Sequence, residues 1–224
     1  MNHKDDRSRF GLLVLLLIAT LALSGLSNGA GVRLGIAGLN LAVITVGFVG
    51  TRAKTRLWKL AGLLIAGIVG TVLVASYGFA DLGVALGATL QVIILGTLAV
   101  AVLARLLEHP SVTNQTMLGA VASYLLLGQV FAWAYMALPG YFDETVLAPA
   151  QQGEVPIYYS YVVLTTLGFG DIHPVGALAQ RITVLEALLG QLYLAILLSR
   201  LASLYSRDQL HFARPDDPTD ESTT

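Results

Sequence analysis

Apolar runs about as long as a membrane is thick occupy most of this chain. A helix needs about 20 mainly apolar residues to span a bilayer core. Charged residues make up only 12% of the sequence, compared with about 25% in soluble domains. Because a backbone inside a bilayer must satisfy its own hydrogen bonds, the runs predict an all-α membrane protein. The six candidate spans are Phe10–Leu26, Leu34–Gly50, Leu57–Tyr77, Leu82–Leu107, Met117–Leu138 and Leu178–Tyr205.

The positions of lysine and arginine predict how these spans are oriented, because basic loops stay on the cytoplasmic side of a membrane. In a six-span arrangement the basic residues fall on one side, with Arg33 as the main exception. We therefore expect cytoplasmic N- and C-termini in a multi-pass protein of the cell (plasma) membrane, with the segment Pro139–Leu178 facing outward. The first run also has the basic start of a cleavable signal peptide, an alternative that Asp5 and Asp6 disfavour.

A short motif between the fifth and sixth runs carries the strongest functional signal. Before it, Pro156 suits the first turn of a short helix, which bulky apolar side chains continue to Thr166. In the motif itself, glycines alternate with bulky residues, and glycine adopts left-handed backbone angles at little cost. The motif reads Thr165, Thr166, Leu167, Gly168, Phe169, Gly170 and Asp171.

This motif resembles the selectivity filter of potassium channels, in which rings of backbone carbonyls replace the water shell of the ion. The resemblance implies that Gly170 forms the outer turn and that Thr165 and Asp171 support the filter. The side chains of Leu167 and Phe169 are expected to point away from the ion, into the supporting protein. The oxygens that coordinate K⁺ are then those of Thr166, Leu167, Gly168 and Phe169.

With six spans and one such motif, the chain resembles the six-helix, one-pore-loop potassium channel subunits of prokaryotic type. The implied fold is four N-terminal transmembrane helices followed by an outer helix, a pore helix, the filter and an inner helix. One pore loop per chain implies a homotetramer in the lipid bilayer, with four chains around one axis. The expected domains are a cytoplasmic N-terminus (1–9), a four-helix domain (10–107), a pore domain (115–205) and a disordered cytoplasmic tail (206–224).

Two positions depart from the pattern of that family. Phe169 replaces the commoner tyrosine, which removes a hydroxyl that would tie the filter to the pore helix. Val162 stands where some bacterial channels place a glutamate bonded to the aspartate. The Tyr159 hydroxyl is a candidate to hold Asp171 instead, and the alternative is that Tyr159 is an interfacial aromatic residue. His173 follows near the outer mouth, where it is a candidate proton sensor or a plain interfacial histidine.

Glu186 is an ionisable residue deep in the predicted inner helix, where a charge is costly and therefore points to function. If its carboxyl faces the water-filled cavity, it attracts cations. If it packs behind the filter, it stabilises the filter in place of the missing pore-helix glutamate. A third reading is a protonated, hydrogen-bonded core group. The candidate partners are Arg181, Gln191, Thr165 and Tyr161.

Gly190 matches the gating-hinge glycine of the family. Glycine weakens a helix by about 1 kcal/mol relative to alanine, so it can localise a bend. The alternative is that Gly190 allows close packing with another helix. Beyond it, Leu194, Leu198 and Ala202 follow at helical spacing and are expected to line a hydrophobic constriction of the inner helix.

The fourth span lacks the arginines of a voltage sensor. It contains only Arg105, whereas voltage sensing uses about 3–4 charges in each subunit. We therefore expect the four-helix domain to resemble a voltage-sensor domain in helix number alone, with little or no voltage sensing. We expect the short, polar tail after Tyr205 not to form a regulatory ligand-binding domain.

Several classes of function find no support in the sequence. There are no cysteines for disulfides or thiolate metal sites, and the net charge of −1 gives no nucleic-acid signal. No nucleotide loop or nucleophile–base set suggests an enzyme, and no cofactor is expected besides K⁺ as the permeant ion. The sequence predicts a potassium-selective channel. The alternatives are a less selective monovalent cation channel and a non-conducting membrane subunit with a vestigial pore; an accessory regulatory subunit stays open.

Overall fold

A computed structural model describes residues 3–24, 38–47, 80–108, 114–142, 145–149 and 155–212. Within these ranges the chain is almost entirely helical, with one short pair of strands between the helices. In chain order the elements are α1 (His3–Ser24), α2 (Gly38–Gly47), α3 (Ala80–Glu108), α4 (Asn114–Phe142), β1 (Leu147–Ala148), α5 (Val155–Leu164), β2 (His173–Pro174) and α6 (Ala177–Phe212).

Three of these helices are long and apolar enough to cross a membrane. Their spanning portions are Asp81–Leu106, Thr116–Phe142 and Ala177–Leu197. They correspond to the fourth, fifth and sixth predicted spans, so the expectation of a helical membrane protein is confirmed. The apolar portions of α1 and α2, Phe10–Leu23 and Gly38–Gly47, are shorter than a span. The third predicted span, at 57–77, lies outside the described residues, and the six-span architecture therefore stays a prediction.

Helices α3 and α4 form the main antiparallel pair. Gly119 near the start of α4 lies against Leu106 near the end of α3, and Gly140 near the end of α4 lies against Ala85. Glycine at these positions allows a close approach, since a Cβ on Gly140 would collide with the Asp81 carbonyl oxygen. The core here includes Leu13, Leu17, Val43, Ile94, Leu95, Leu98, Val102 and Leu126, from α1 to α4.

A second core joins the outer helix α4 to the short helix α5 and the start of α6. Its buried members are Tyr135, Leu138, Val146, Leu147, Tyr159 and Ala179. The two strands close this unit on one side, because Leu147 pairs with Pro174 and Ala148 pairs with His173 in antiparallel register. This strand pair is a small correction to the all-α prediction, and it fixes the loop that follows the motif.

Helix α6 is much less covered than α4. Large apolar side chains along it are exposed, as are Leu167 and Phe169 of the motif. Such a surface is unstable in water, so it must face lipid or protein. The exposed residues of α6 are Leu178, Val184, Leu185, Leu188, Leu189, Leu192 and Ile196.

Candidate functional site

The short helix predicted before the motif is present as α5, and the motif begins directly at its end. The Thr165 amide donates to the Tyr161 carbonyl at 3.0 Å, and the Leu167 amide donates to the Val162 carbonyl at 3.0 Å. These bonds hold the start of residues 166–170, called the filter segment below, against the last turn of α5. The segment is therefore positioned by a helix rather than by a free loop.

Left-handed and ordinary backbone angles alternate along the filter segment. The φ angles of Thr166, Gly168 and Gly170 are 62°, 57° and 77°, whereas Leu167 and Phe169 do not have positive φ. This alternation turns successive carbonyls toward one side, which an extended strand does not do, since successive residues of a strand face opposite sides. The expected left-handed angles at the two glycines are therefore present.

Thr166 was not expected to adopt a left-handed conformation. A β-branched residue with positive φ is a conformational outlier, and the conformation costs about 1–2 kcal/mol. Because such strained residues cluster at functional sites, the angle at Thr166 favours the filter segment as the candidate site. The sequence did not predict this angle, because left-handed backbone angles were expected only at the two glycines.

The side chains of Leu167 and Phe169 are 59% and 65% exposed in the single chain. We expected both to point into supporting protein; the described part of one chain does not supply that protein, so this stays a prediction for an assembly of several chains. The glycines between them also have open space, because a Cβ on Gly168 or Gly170 would meet nothing within 4 Å. The described part of this chain therefore does not enclose its own filter segment.

A tyrosine does hold Asp171, but it is not the one predicted. The Tyr158 hydroxyl donates to Asp171 Oδ2 at 2.7 Å, and this hydrogen bond raises the pKa of the Tyr158 phenol. Tyr159 points the other way, is 3% exposed, and shares a hydrogen bond of 2.8 Å with Thr183 Oγ1. Neighbouring helical residues point about 100° apart, so only one of the two can face the aspartate.

Glu186 is fully buried where α6 packs against α4 and α5, and it does not face a cavity. Its carboxyl lies between Ser160 of α5 and Tyr135 of α4, with the Tyr135 hydroxyl donating to Oε2 at 2.8 Å. These contacts agree with a hydrogen-bonded core group, whereas support of the filter by Glu186 stays a prediction. The four predicted partners are wrong: the Thr165 and Tyr161 hydroxyls bond to backbone carbonyls, and Arg181 and Gln191 are exposed.

Tyrosine hydroxyls tie the outer helix α4 to the elements around the filter. Tyr124 donates to the Leu164 carbonyl at 2.8 Å, and Tyr161 donates to the Leu125 carbonyl at 2.7 Å. Tyr193 of α6 donates to the Ala120 carbonyl at 2.7 Å. Sequence reasoning missed these bonds, although the density of tyrosine within otherwise apolar runs was a signal for them.

Gly190 lies where α6 meets the end of α5. A Cβ on Gly190 would come within 2.9 Å of the Leu164 carbonyl oxygen and of Leu164 Cδ1. This geometry supports the packing role, and α6 continues as a helix through Gly190. The hinge role stays a prediction. Leu194 is half-buried; the side chains of Leu198 and Ala202 lie outside the described residues, so the constriction stays untested.

His173 lies at the outer end of the filter loop, in strand β2. Its backbone pairs with Ala148, and its side chain is exposed. Both its position near an outer mouth and proton sensing by this histidine stay predictions.

Comparisons with known proteins match the part of the chain that holds this site. A family model described as "Ion channel" matches residues 123–207. The inward rectifier potassium channel Kirbac3.1 of Paramagnetospirillum magnetotacticum is 33% identical over 86 residues, which cover 38% of this chain and 28% of that protein. No solved structure matches. The matched residues run from α4 to α6, so the similarity to ion channels covers the part of the chain that contains the filter segment and two of the three described helices able to span a membrane.

Proposed function

We propose that this protein is a potassium-selective channel that conducts K⁺ passively through a pore formed by residues 115–205. The observation that carries the proposal is the alternation of backbone angles from Thr166 to Gly170. It gives successive carbonyls a common direction, as needed to replace the water shell of an ion. In this proposal Thr166, Leu167, Gly168 and Phe169 supply the oxygens.

The proposed channel is a homotetramer. One filter segment per chain cannot surround an ion, and cyclic symmetry brings identical segments around one axis. The exposed side chains of Leu167 and Phe169 and the uncovered apolar face of α6 support this assembly, because neighbouring subunits would bury them. The relative Kirbac3.1 is a potassium channel by name, and this chain spans little more than a quarter of its length.

Each chain contributes fixed geometry rather than side-chain charge to conduction. The amide bonds from Thr165 and Leu167 to α5 hold the inner end of the filter segment. The bond from Tyr158 to Asp171 holds its outer end at 2.7 Å. A segment fixed at both ends needs little reorganisation when an ion enters, so its carbonyls are preorganised for binding.

The N-terminal helices are proposed to add little or no voltage sensing. Arg105 is the only basic residue of helix α3, and it lies in the last turn. A single charge near the membrane surface crosses little of the field, and each full charge contributes only about 2.3 kcal/mol per 100 mV. The proposed location is the cell membrane, with both termini in the cytoplasm.

The test is the reversal potential of the purified protein in planar bilayers with K⁺ on one side and Na⁺ on the other. We expect reversal near the K⁺ equilibrium potential. Gly168→Ala should abolish the selective current, because alanine at a φ of 57° is strained. Gly176→Ala is the matched control, since Gly176 has a φ of 82° outside the filter segment.

Each other outcome identifies a different function. Reversal near zero with robust current would favour the less selective cation channel. A tetramer by native mass spectrometry that never conducts would favour the non-conducting subunit. Equal loss of current in Gly168→Ala and Gly176→Ala would contradict the role of the filter segment, because backbone strain alone would then explain the effect.

A further inference from the structure

A buried cluster of oxygen atoms lies behind the filter segment, where three helices meet. Tyr135 of α4, Ser160 of α5, and Thr183 and Glu186 of α6 form it, and we call it the carboxyl cluster. Ser160 and Glu186 are fully buried, and Tyr135 is 1% exposed. Because the cluster joins the outer, pore and inner helices at one point, the protonation state of its carboxyl affects all three.

The contacts of the Ser160 hydroxyl indicate the protonation state of Glu186. Ser160 Oγ lies 2.7 Å from the Gly128 carbonyl oxygen and also forms a hydrogen bond with Glu186 Oε1. A hydroxyl has one proton to donate. A carbonyl oxygen and an ionised carboxylate oxygen are both acceptors only, so Ser160 cannot satisfy both. If Glu186 carries a proton on Oε1, it donates to Ser160, and Ser160 donates to Gly128.

The remaining contacts agree with this assignment. Thr183 Oγ1 donates to the Ala179 carbonyl at 2.9 Å, so it accepts from the Tyr159 hydroxyl at 2.8 Å. The Tyr135 hydroxyl is then free to donate to Glu186 Oε2 at 2.8 Å. The longer contact between the Tyr135 and Thr183 hydroxyls, at 3.1 Å, then has no hydrogen-bond donor, because both hydroxyls donate elsewhere. In the neutral form every short contact of the cluster has a donor.

We propose that Glu186 is a neutral carboxylic acid that donates to Ser160, and that it acts as a positioning residue which ties the inner helix to the pore helix. Ionisation of Glu186 removes this donor and leaves Ser160 with two acceptors. The titratable groups that face the carboxyl from the helices packed against it are phenols: Tyr124 and Tyr135 of α4, and Tyr159 and Tyr161 of α5.

Glu186→Gln separates the neutral form from the ionised form. Glutamine has the shape of the acid, its amide can donate to Ser160, and its carbonyl can accept from Tyr135. If Glu186 is neutral, the substitution keeps every hydrogen bond and the unfolding midpoint stays that of the wild type. Glu186→Ala and Ser160→Ala break the cluster and lower the midpoint. Loss of folded protein in Glu186→Gln alone would overturn the proposal.

Infrared spectroscopy of the purified, reconstituted protein tests the protonation state directly. At pH 8 ordinary carboxyls are ionised, so a carboxylic-acid C=O band that shifts in D₂O reports a protonated buried acid. We expect this band in the wild type, its loss in Glu186→Gln, and no change in Asp81→Asn, which replaces an exposed carboxyl of α3. A wild type without the band, or a band that persists in Glu186→Gln, would overturn the proposal.

The consequence for conduction rests on the proposed function and has its own readout. Wild-type current should fall at alkaline pH as the cluster loses its donor, whereas current through Glu186→Gln should not. A protein with the infrared band but without any current would count against the channel and leave the neutral acid supported. Current that falls equally in both proteins would overturn the positioning role of Glu186.

Discussion

Replacing Gly190 by alanine distinguishes a packing glycine from a hinge. The Cβ of Gly190→Ala would lie 2.9 Å from the Leu164 carbonyl oxygen and 2.9 Å from Leu164 Cδ1. The backbone oxygen cannot move without shifting the end of α5, from which the filter segment starts. It also accepts the Tyr124 hydroxyl at 2.8 Å. The added methyl group therefore strains a point that is fixed from two sides.

The expected free-energy change is the difference between two effects. Overpacking of a well-packed site costs about 1–3 kcal/mol. Alanine in a helix interior stabilises by about 1 kcal/mol relative to glycine. Gly190→Ala should therefore destabilise by about 0–2 kcal/mol relative to the wild type, combining these ranges. For a chain of this size that lowers the unfolding midpoint by up to about 8 °C, at about 2–4 °C per kcal/mol.

The assay is thermal unfolding of the purified protein in one detergent, with Gly96→Ala as the matched control. Gly96 lies inside α3, and its Cβ would meet nothing within 4 Å, so this control should raise the midpoint by about 2–4 °C. In a Leu164→Ala background, the cost of Gly190→Ala should shrink, because the contact with Cδ1 is gone. If Gly190→Ala stabilises as much as Gly96→Ala, the packing argument fails.

Two further substitutions test contacts around the filter segment. Tyr158→Phe removes the hydrogen bond to Asp171 and should change the open-state lifetime or inactivation in single-channel recordings. The unfolding midpoint should stay close to that of the wild type, because the contact is exposed. An unchanged lifetime and unchanged inactivation would contradict the role of Tyr158. Gly128→Ala places a Cβ 2.7 Å from Tyr161 Cε1. After the helix gain of alanine, it should destabilise by about 0–2 kcal/mol. An unfolding midpoint raised as much as in Gly96→Ala would show that the contact between α4 and α5 is not tight.

The helices and the motif could be predicted from the sequence, because each depends on the chemistry of neighbouring residues. Apolar runs predicted the three long helices, and Gly168 and Gly170 predicted left-handed angles. The short helix α5 followed from Pro156 and a bulky apolar stretch. In each case the deciding residues lie next to the element they determine, so no knowledge of the packing was needed.

The side-chain contacts among α4, α5 and α6 could not be predicted, because they depend on how each helix is rotated about its axis. The sequence placed Tyr158 and Tyr159 side by side, and the choice between them depends on which side of α5 faces α4 and α6. Likewise, the candidate partners of Glu186 were Arg181, Gln191, Thr165 and Tyr161, but its observed partners are Ser160 of α5 and Tyr135 of α4. Ser160 carried no signal of its own, since serine is common in membrane helices.

In the proposed tetramer, support for the filter segment lies between chains and could not be predicted from neighbours along one chain. Leu167 and Phe169 are more than half exposed in one chain, although both are large and apolar. Their burial on assembly would remove apolar surface from lipid or water without new polar contacts. In the proposed tetramer, the stiffness of the filter, and with it the choice between K⁺ and other monovalent cations, would therefore depend on the neighbouring subunits that cover these two side chains. The local backbone of Thr166 to Gly170 sets the direction of the carbonyls, whereas their spacing around an ion is a property of the assembly.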